Sequence, residues 1–416
     1  MKRAEAEHLD AKDSIGWLRD RFVIDDPELI YLDGNSLGRL PKVTVAAVQE
    51  AMCAGWGNQL VRAWHDWIDV SQRIGDRLGQ AMLGAAPGQV VVSDSTSVNL
   101  YKLATAALDT RPGRRVILSS TDNFPTDRYV LEGLAAARGL ELRLLNPGPG
   151  GDIGVDAVKA ALGLDVALVS LSHVSYLSGA IEDVRAITRA ARYAGALVLW
   201  DLCHSAGAIP IELDEWGVDL AVGCTYKYLN AGPGAPAFLY VRHNLQTRLR
   251  QPIWGWWGQR EQFAMGPGYD PSRSIARFLV GTPPVLSLLP IQTGVELLAE
   301  AGIDRLREKA AALTALIVRL CEVWLEPLGF TLFSPRDPAR RGAHVSLVHA
   351  DAYRVSQALI EVARVIPDFR PPNVVRLGPA PAYTRFVDVW DAMDRLRNVM
   401  ETRAYERFDP TPGRVT

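Results

Sequence analysis

From about residue 90 onward, short apolar runs alternate with stretches in which apolar residues recur every third or fourth position. The runs are QVVVSD, RRVILSS, LELRLLN, DVALVSLSH, ALVLWD, DLAVGCT and APAFLYV, rich in β-branched side chains and short enough to be strands. Between most of them lie segments such as Thr96–Leu108, Thr126–Arg138 and Val184–Tyr193, whose spacing suits amphipathic helices covering a largely parallel sheet. The last two runs leave no room for a helix between them, so the final strand is expected as an antiparallel, hairpin-like addition. The pattern predicts an α/β unit built on a mostly parallel seven-stranded sheet.

Beyond about Pro290 the periodicity changes. A long helical stretch runs to about Trp324, followed by the runs FTLFSP and HVSLVHA, a helix near Tyr353–Val362, the run NVVRLGP and a last helix near Val387–Arg403. This predicts a smaller α+β C-terminal domain. The first part of the chain is mostly helical, interrupted by the turn-rich Asp33-Gly34-Asn35-Ser36-Leu37-Gly38 and the Trp-rich stretch Trp56–Trp67. Residues 1–60 are therefore expected to form an arm joining the small domain, 61–290 the large domain and 291–416 the small one.

Composition narrows the function. With 48% hydrophobic and 22% charged residues the chain is an ordinary globular protein, and a net charge of -2 from 45 basic and 47 acidic side chains gives no footprint for nucleic acid. No apolar run reaches the length of a membrane span, and the charged N-terminus lacks the apolar core of a signal peptide. Cys53, Cys203, Cys224 and Cys321 are scattered, which fits reduced thiols in the cytoplasm better than a disulfide framework. The seven histidines show no metal-ligand spacing, and neither GxGxxG after the first sheet strand nor GxxxxGK[ST] occurs. The expected partner is a small molecule.

Among seven lysines, Lys227 stands apart. It follows the run LAVGCT where the chain leaves the sheet, the edge at which ligands bind in open α/β folds. A partly desolvated amine there is a Schiff-base candidate. Lys2, Lys12, Lys42, Lys102, Lys159 and Lys309 are expected in polar or helical contexts with solvent on one side. Asp201 closes ALVLWD, where a carboxylate could keep a pyridine nitrogen protonated. His204 lies beside it. Asp94-Ser95-Thr96-Ser97 follows VVVS and opens a helix, whose free N–H groups and hydroxyls suit a phosphate. Phe124, in Asn123-Phe124-Pro125-Thr126-Asp127, could stack on a ring. Taken singly, each has an ordinary reading: a solvated loop lysine, a helix-capping aspartate, an N-cap, a core aromatic. What distinguishes them is that all fall on loops at the same edge of one sheet.

With these pieces in place, the sequence resembles the fold-type I pyridoxal-phosphate enzymes, and within them the kynureninase family, over about residues 14–400. The resemblance rests on Leu32-Asp33-Gly34-Asn35-Ser36-Leu37-Gly38, the Asn123–Asp127 turn, Trp200-Asp201-Leu202-Cys203-His204-Ser205-Ala206-Gly207, Cys224-Thr225-Tyr226-Lys227-Tyr228 and Gly255-Trp256-Trp257-Gly258. It implies hydrolysis of L-kynurenine to anthranilate and L-alanine, in tryptophan catabolism, with pyridoxal 5'-phosphate as cofactor. Lys227 would carry the cofactor, Asp201 would pair with its ring nitrogen and Phe124 would stack on it. Thr96, Ser97, Asp127, His204 and Tyr226 would complete the shell, and Lys227 or Tyr226 would move protons. Trp256 and Thr282 would come from the second subunit of a homodimer. Arg376 would hold the substrate carboxylate, while Ser36, Trp64, Gly281 and Thr282 would border the rest of the substrate. Relatives preferring 3-hydroxykynurenine tend to show His and Asn where Trp64, Gly281 and Thr282 stand, so L-kynurenine is the expected substrate, with lesser activity on the hydroxylated one. The alternative on the same scaffold is a cysteine desulfurase or a transaminase. A desulfurase needs a mobile, exposed cysteine, and none of the four lies in a flexible loop.

Overall fold

A computed structural model describes residues 2–411 and 413 of the 416-residue chain. Its centre is a seven-stranded sheet of β1 (Val90–Val92), β2 (Val116–Ser120), β3 (Glu141–Leu145), β4 (Val166–Ser172), β5 (Leu197–Asp201), β6 (Leu220–Gly223) and β7 (Phe238–Val241). The spatial order is β1-β7-β6-β5-β4-β2-β3, and β7 alone runs against the rest. All seven apolar runs are strands, and the last is the antiparallel one. Alternate side chains feed two cores, as the two-residue pleat requires. Val90, Val92, Val198 and Trp200 enter one, and Val91, Leu197, Leu199 and Leu220 the other. Covering both faces is what makes the strands read as continuous apolar runs rather than alternating ones.

Helices α1 (Arg3–Ala11), α2 (Lys42–Glu50) and α3 (Val70–Leu78) precede the sheet. Within it, α4 (Thr96–Asp109) follows β1, α5 (Pro125–Arg138) follows β2, α6 (Val155–Ala161) follows β3 and α7 (Val184–Tyr193) follows β4. The long helical stretch is two helices, α8 (Val285–Ala301) and α9 (Ile303–Leu320), parted at Gly302, whose φ of 83° no other residue type adopts cheaply.

A second core lies around a four-stranded antiparallel sheet of β8 (Thr331–Leu332), β9 (Val345–Val348), β10 (Asp368–Arg370) and β11 (Val374–Leu377). Helices α10 (Ala352–Glu361) and α11 (Phe386–Glu401) complete it. Ala6 of α1 and Ile30 and Leu32 of the early chain are buried in this core. A short parallel pairing of Ile30–Tyr31 with Val365–Ile366 brings the Asp33–Gly38 turn against it. From there the turn reaches the large sheet, where Gly38 N–H donates to the Tyr226 carbonyl at 2.8 Å.

Two lysines differ from expectation. Lys102 is fully buried, its amine donating to Asp94 at 2.6 Å and to the Phe278 carbonyl at 2.7 Å. Lys309 is buried 2.7 Å from Asp13. Helical periodicity puts both on a solvated face, but each face is covered by chain distant in sequence.

Candidate active site

β1, β2, β5 and β6 are mutually parallel, so the chain leaves all four at one edge, and Thr96, Phe124, Asp201 and Lys227 collect there. Lys227 sits on the exit from β6, in a turn closed by Ala231 N–H donating to the Thr225 carbonyl at 3.1 Å and by Thr225 Oγ1 donating to the Pro236 carbonyl at 2.6 Å. Asn230 takes a φ of 58° to complete it. The Lys227 amine lies 2.9 Å from His204 Nε2 and 5.9 Å from the centre of the Phe124 ring. Burial, with the charge of Lys227 and the neighbouring His344, holds His204 well below the usual imidazole range. Its ring is neutral and shares a hydrogen bond with the lysine. The other ring nitrogen, Nδ1, is buried with no partner.

Asp201 is buried at the end of β5, and one of its oxygens accepts from Cys203 N–H at 2.6 Å. Asp127, in the first turn of α5, is buried beside it. Burial, then the Asp201 charge, push Asp127 well above the usual carboxyl range. Its Oδ2 has no partner. The Asp127 carboxyl and the His204 imidazole thus each present a buried, unpartnered polar atom at this edge, an arrangement that costs stability unless a ligand satisfies them.

At the start of α4, Ser95 accepts from Val98 N–H at 3.3 Å, and the Thr96 hydroxyl lies 3.9 Å from the Cys203 sulfur. Ahead of it Asp94 adopts a φ of 50° and is held by Lys102. The first N–H groups of a helix have no intrahelical acceptor, so Thr96 and Ser97 offer an anion site facing the same edge. Tyr226 is half-buried, and burial raises its phenol, with Cys224 adding to the shift, so it keeps its proton.

Arg376 on β11 is buried rather than superficial. Its Nε donates to Asp368 at 2.5 Å, Nη2 reaches Asp368 and, at 3.4 Å, Ser36, and Nη1 donates to the Tyr176 carbonyl at 2.5 Å. The Tyr176 ring stands edge-on to Phe124, 5.3 Å between centres, so this guanidinium is joined to the Lys227 cluster through one residue. Asp368, Tyr176 and His344 are members of the site that sequence reasoning misses. His344 is fully buried and packs 5.4 Å from His204. No local pattern marks these residues, because their roles come from pairings across the fold.

Trp64, Trp256, Gly281 and Thr282 form a separate group. Trp257 packs against Trp64 at 5.5 Å and against Trp256 at 4.8 Å, and its N–H donates to the Val280 carbonyl. Among the described residues, no hydrogen bond or ring contact joins this group to Lys227, and Gly281 and Thr282 are exposed. Nor is there, among the described residues, a cluster of three or more metal-ligating side chains.

The architecture is that of the fold-type I pyridoxal-phosphate enzymes. A cysteine desulfurase of Escherichia coli superposes with a TM-score of 0.80 at 18% identity over 94% of this chain and 98% of its own. A cysteine desulfurase of Thermococcus onnurineus NA1 does so with 0.77 at 19% identity over 90% and 95%. Residues 306–396 match the kynureninase C-terminal domain family. The kynureninase of Pseudomonas fluorescens is 44% identical over 405 residues, 95% of each chain, and that of Burkholderia pseudomallei strain K96243 is 43% identical over 97% of this chain and 96% of its own. This chain belongs to the kynureninase family.

Proposed function

We propose that the chain hydrolyses L-kynurenine to anthranilate and L-alanine using pyridoxal phosphate held at Lys227. The observation that carries the reading is the meeting of the Lys227 amine, neutral His204 and the Asp127–Asp201 pair at one sheet edge, in a chain 44% identical to a kynureninase. The residues fit the cofactor. Asp201 suits a protonated ring nitrogen, the unpartnered atoms of His204 and Asp127 await polar partners, Phe124 offers a flat face, and Thr96 and Ser97 with Tyr226 suit a phosphate. When bound, pyridoxal phosphate supplies an electron sink for charge developing at the substrate α-carbon.

The remaining work falls to the chain. Arg376 is the residue for the substrate carboxylate, which would take over donors that Ser36 and the Tyr176 carbonyl now occupy while Asp368 holds the guanidinium in place. Lys227 is the base that takes a proton from the α-carbon, and the neutral His204 beside it gives the amine a hydrogen-bond partner rather than a competing cation. Tyr226, protonated at neutral pH, is the second proton carrier. We take L-kynurenine as the preferred substrate and the hydroxylated form as the lesser one, because Trp64, Gly281 and Thr282 offer a ring hydroxyl only an indole N–H and one hydroxyl in place of an imidazole and a carboxamide.

The reading also assigns a homodimer in which Trp256 and Thr282 complete the partner's site. In its favour, Trp56, Leu60, Val61, Trp254 and Phe263 are exposed apolar side chains near the Trp-rich stretch, a surface suited to a second subunit. Residues 1–60 serve as an arm to the small domain, 61–290 as the large domain and 291–416 as the small one. No helix among the described residues is long and apolar enough to cross a membrane, and a cytoplasmic location is in keeping with four free thiols.

The test is the visible spectrum of the protein loaded with pyridoxal phosphate, followed by L-kynurenine addition and anthranilate fluorescence. A coloured species absent from Lys227→Ala, with anthranilate formed only by the wild type, is expected. Colour without anthranilate would remove the substrate, and sulfide release from cysteine would revive the desulfurase reading.

A further inference from the structure

Two of the four cysteines stand at the floor of this site. Asp201 of β5 pairs with Val222 of β6 in parallel register, so two residues further along, Cys203 and Cys224 leave the sheet side by side. Neighbouring strands run about 4.8 Å apart, inside the span a disulfide bridges. The contacts agree. Cys224 N–H donates to the Cys203 sulfur at 3.2 Å, and the Cys224 thiol lies 3.8 Å from the Cys203 carbonyl. Cys203 also lies 3.9 Å from the Thr96 hydroxyl and has 9% of its surface open, against 2% for Cys224.

We propose that Cys203 and Cys224 form one oxidation site, closed to a disulfide by a hydroperoxide. Burial resists ionisation of Cys224, but the hydrogen bond from Cys203 and the charge of Lys227 outweigh it and bring this thiol below its ordinary range. The same hydrogen bond, with burial and Asp201, pushes Cys203 up. The pair therefore holds a nucleophile and a proton-bearing partner. The Cys224 thiol gives up its proton and its sulfur attacks one oxygen of hydrogen peroxide; the O–O bond breaks, the leaving hydroxide takes that proton to become water, and a sulfenic acid remains. The Cys203 sulfur then attacks that sulfur, the S–O bond breaks, and the hydroxyl departs as water with the Cys203 proton. Two thiols lose two electrons, and the peroxide is reduced to water. Because Cys203 lies among Thr96, Asp201 and Lys227, a cofactor held by those residues covers it. That protection rests on the proposed function; the thiol chemistry does not.

The experiment treats full-length Cys53→Ser protein, which lacks the exposed thiol, with hydrogen peroxide, with and without prior loading by pyridoxal phosphate. Thiol titration and peptide mapping are the readouts. The expected result is loss of two thiols, one linked peptide joining Cys203 to Cys224, recovery with a dithiol reductant, and slower closure in the loaded protein. Cys203→Ala should give no linked peptide at all. Oxidation that stops at sulfinic acid on one cysteine, or thiols that persist while denatured protein reacts, would overturn the proposal. If the linked peptide forms at the same rate with and without pyridoxal phosphate, the thiol pair stands and the placement of the cofactor fails.

Discussion

At the scale of single residues, the site is governed by burial acting on polar and ionisable groups, and Arg376 lies fully buried among its partners. Its forked donors engage Asp368, Ser36 and the Tyr176 carbonyl at once, a geometry a point-charge ammonium does not reproduce. Arg376→Lys should cost about 1.5–3 kcal/mol of substrate binding. That means a KM for L-kynurenine raised roughly tenfold or more, with kcat changed less, read from initial rates. An unchanged KM would remove Arg376 from carboxylate binding. His173 gives a stability counterpart. It is buried against Trp216 with Nδ1 unpartnered, and burial together with the charge of Arg307 lowers it to about 4 from 6.5. The native state thus binds fewer protons than the unfolded chain between those values, and stability is lost as pH falls through that window. His173→Phe keeps the ring and abolishes the titration. Its destabilisation relative to wild type, measured by urea unfolding, should shrink by about 2 kcal/mol between pH 7.5 and pH 5. A pH-independent difference would contradict the assignment.

Elements set where those residues meet, and the Asp33–Gly38 turn packs directly against the Lys227 turn. A Cβ at Gly38 would collide with the Lys227 carbonyl and the Asn230 side chain. Gly38→Ala must therefore displace the backbone that carries the amine. It should lower stability by about 1–3 kcal/mol and depress turnover in parallel, read by thermal melting and anthranilate formation. A variant as stable and active as wild type would show that the two turns move independently. The same contact bears on what the sequence discloses. Seven strands and the reversed direction of the last are legible, because both faces of the sheet are covered and every run is apolar. Val365–Ile366 and Asp368–Arg370 are not, being too short for a period to register. Lys102 and Lys309 are misplaced because helical periodicity reports one face and says nothing of chain folding back over the other. Thr96, Phe124, Asp201 and Lys227 are found because strand ends of a parallel sheet share an edge; Asp368, Tyr176 and His344 stay hidden because only tertiary pairing defines them.

For the whole molecule the outstanding matter is whether one chain makes a complete site. Lys227 and its neighbours form one group while Trp64, Trp256, Gly281 and Thr282 form another, beside exposed apolar side chains and, among the described residues, with no hydrogen bond or ring contact to the first. Two-fold symmetry offers a resolution, since an isologous interface presents the second group of each subunit to the first group of its partner. A mixing experiment separates this from a self-sufficient subunit. Lys227→Ala removes the resident amine, and a double variant, Trp256→Ala with Thr282→Arg, spoils the donated surface; each alone should be inactive. Dissociated and reassociated together in equal amounts, they should form hybrid dimers. In each hybrid, one site combines the intact Lys227 of the double variant with the intact donated surface of the lysine variant, while the other site carries both lesions. Random pairing then restores roughly a quarter of the wild-type sites. Sites contained within single subunits would recover nothing, because every chain in the mixture would still carry its own lesion.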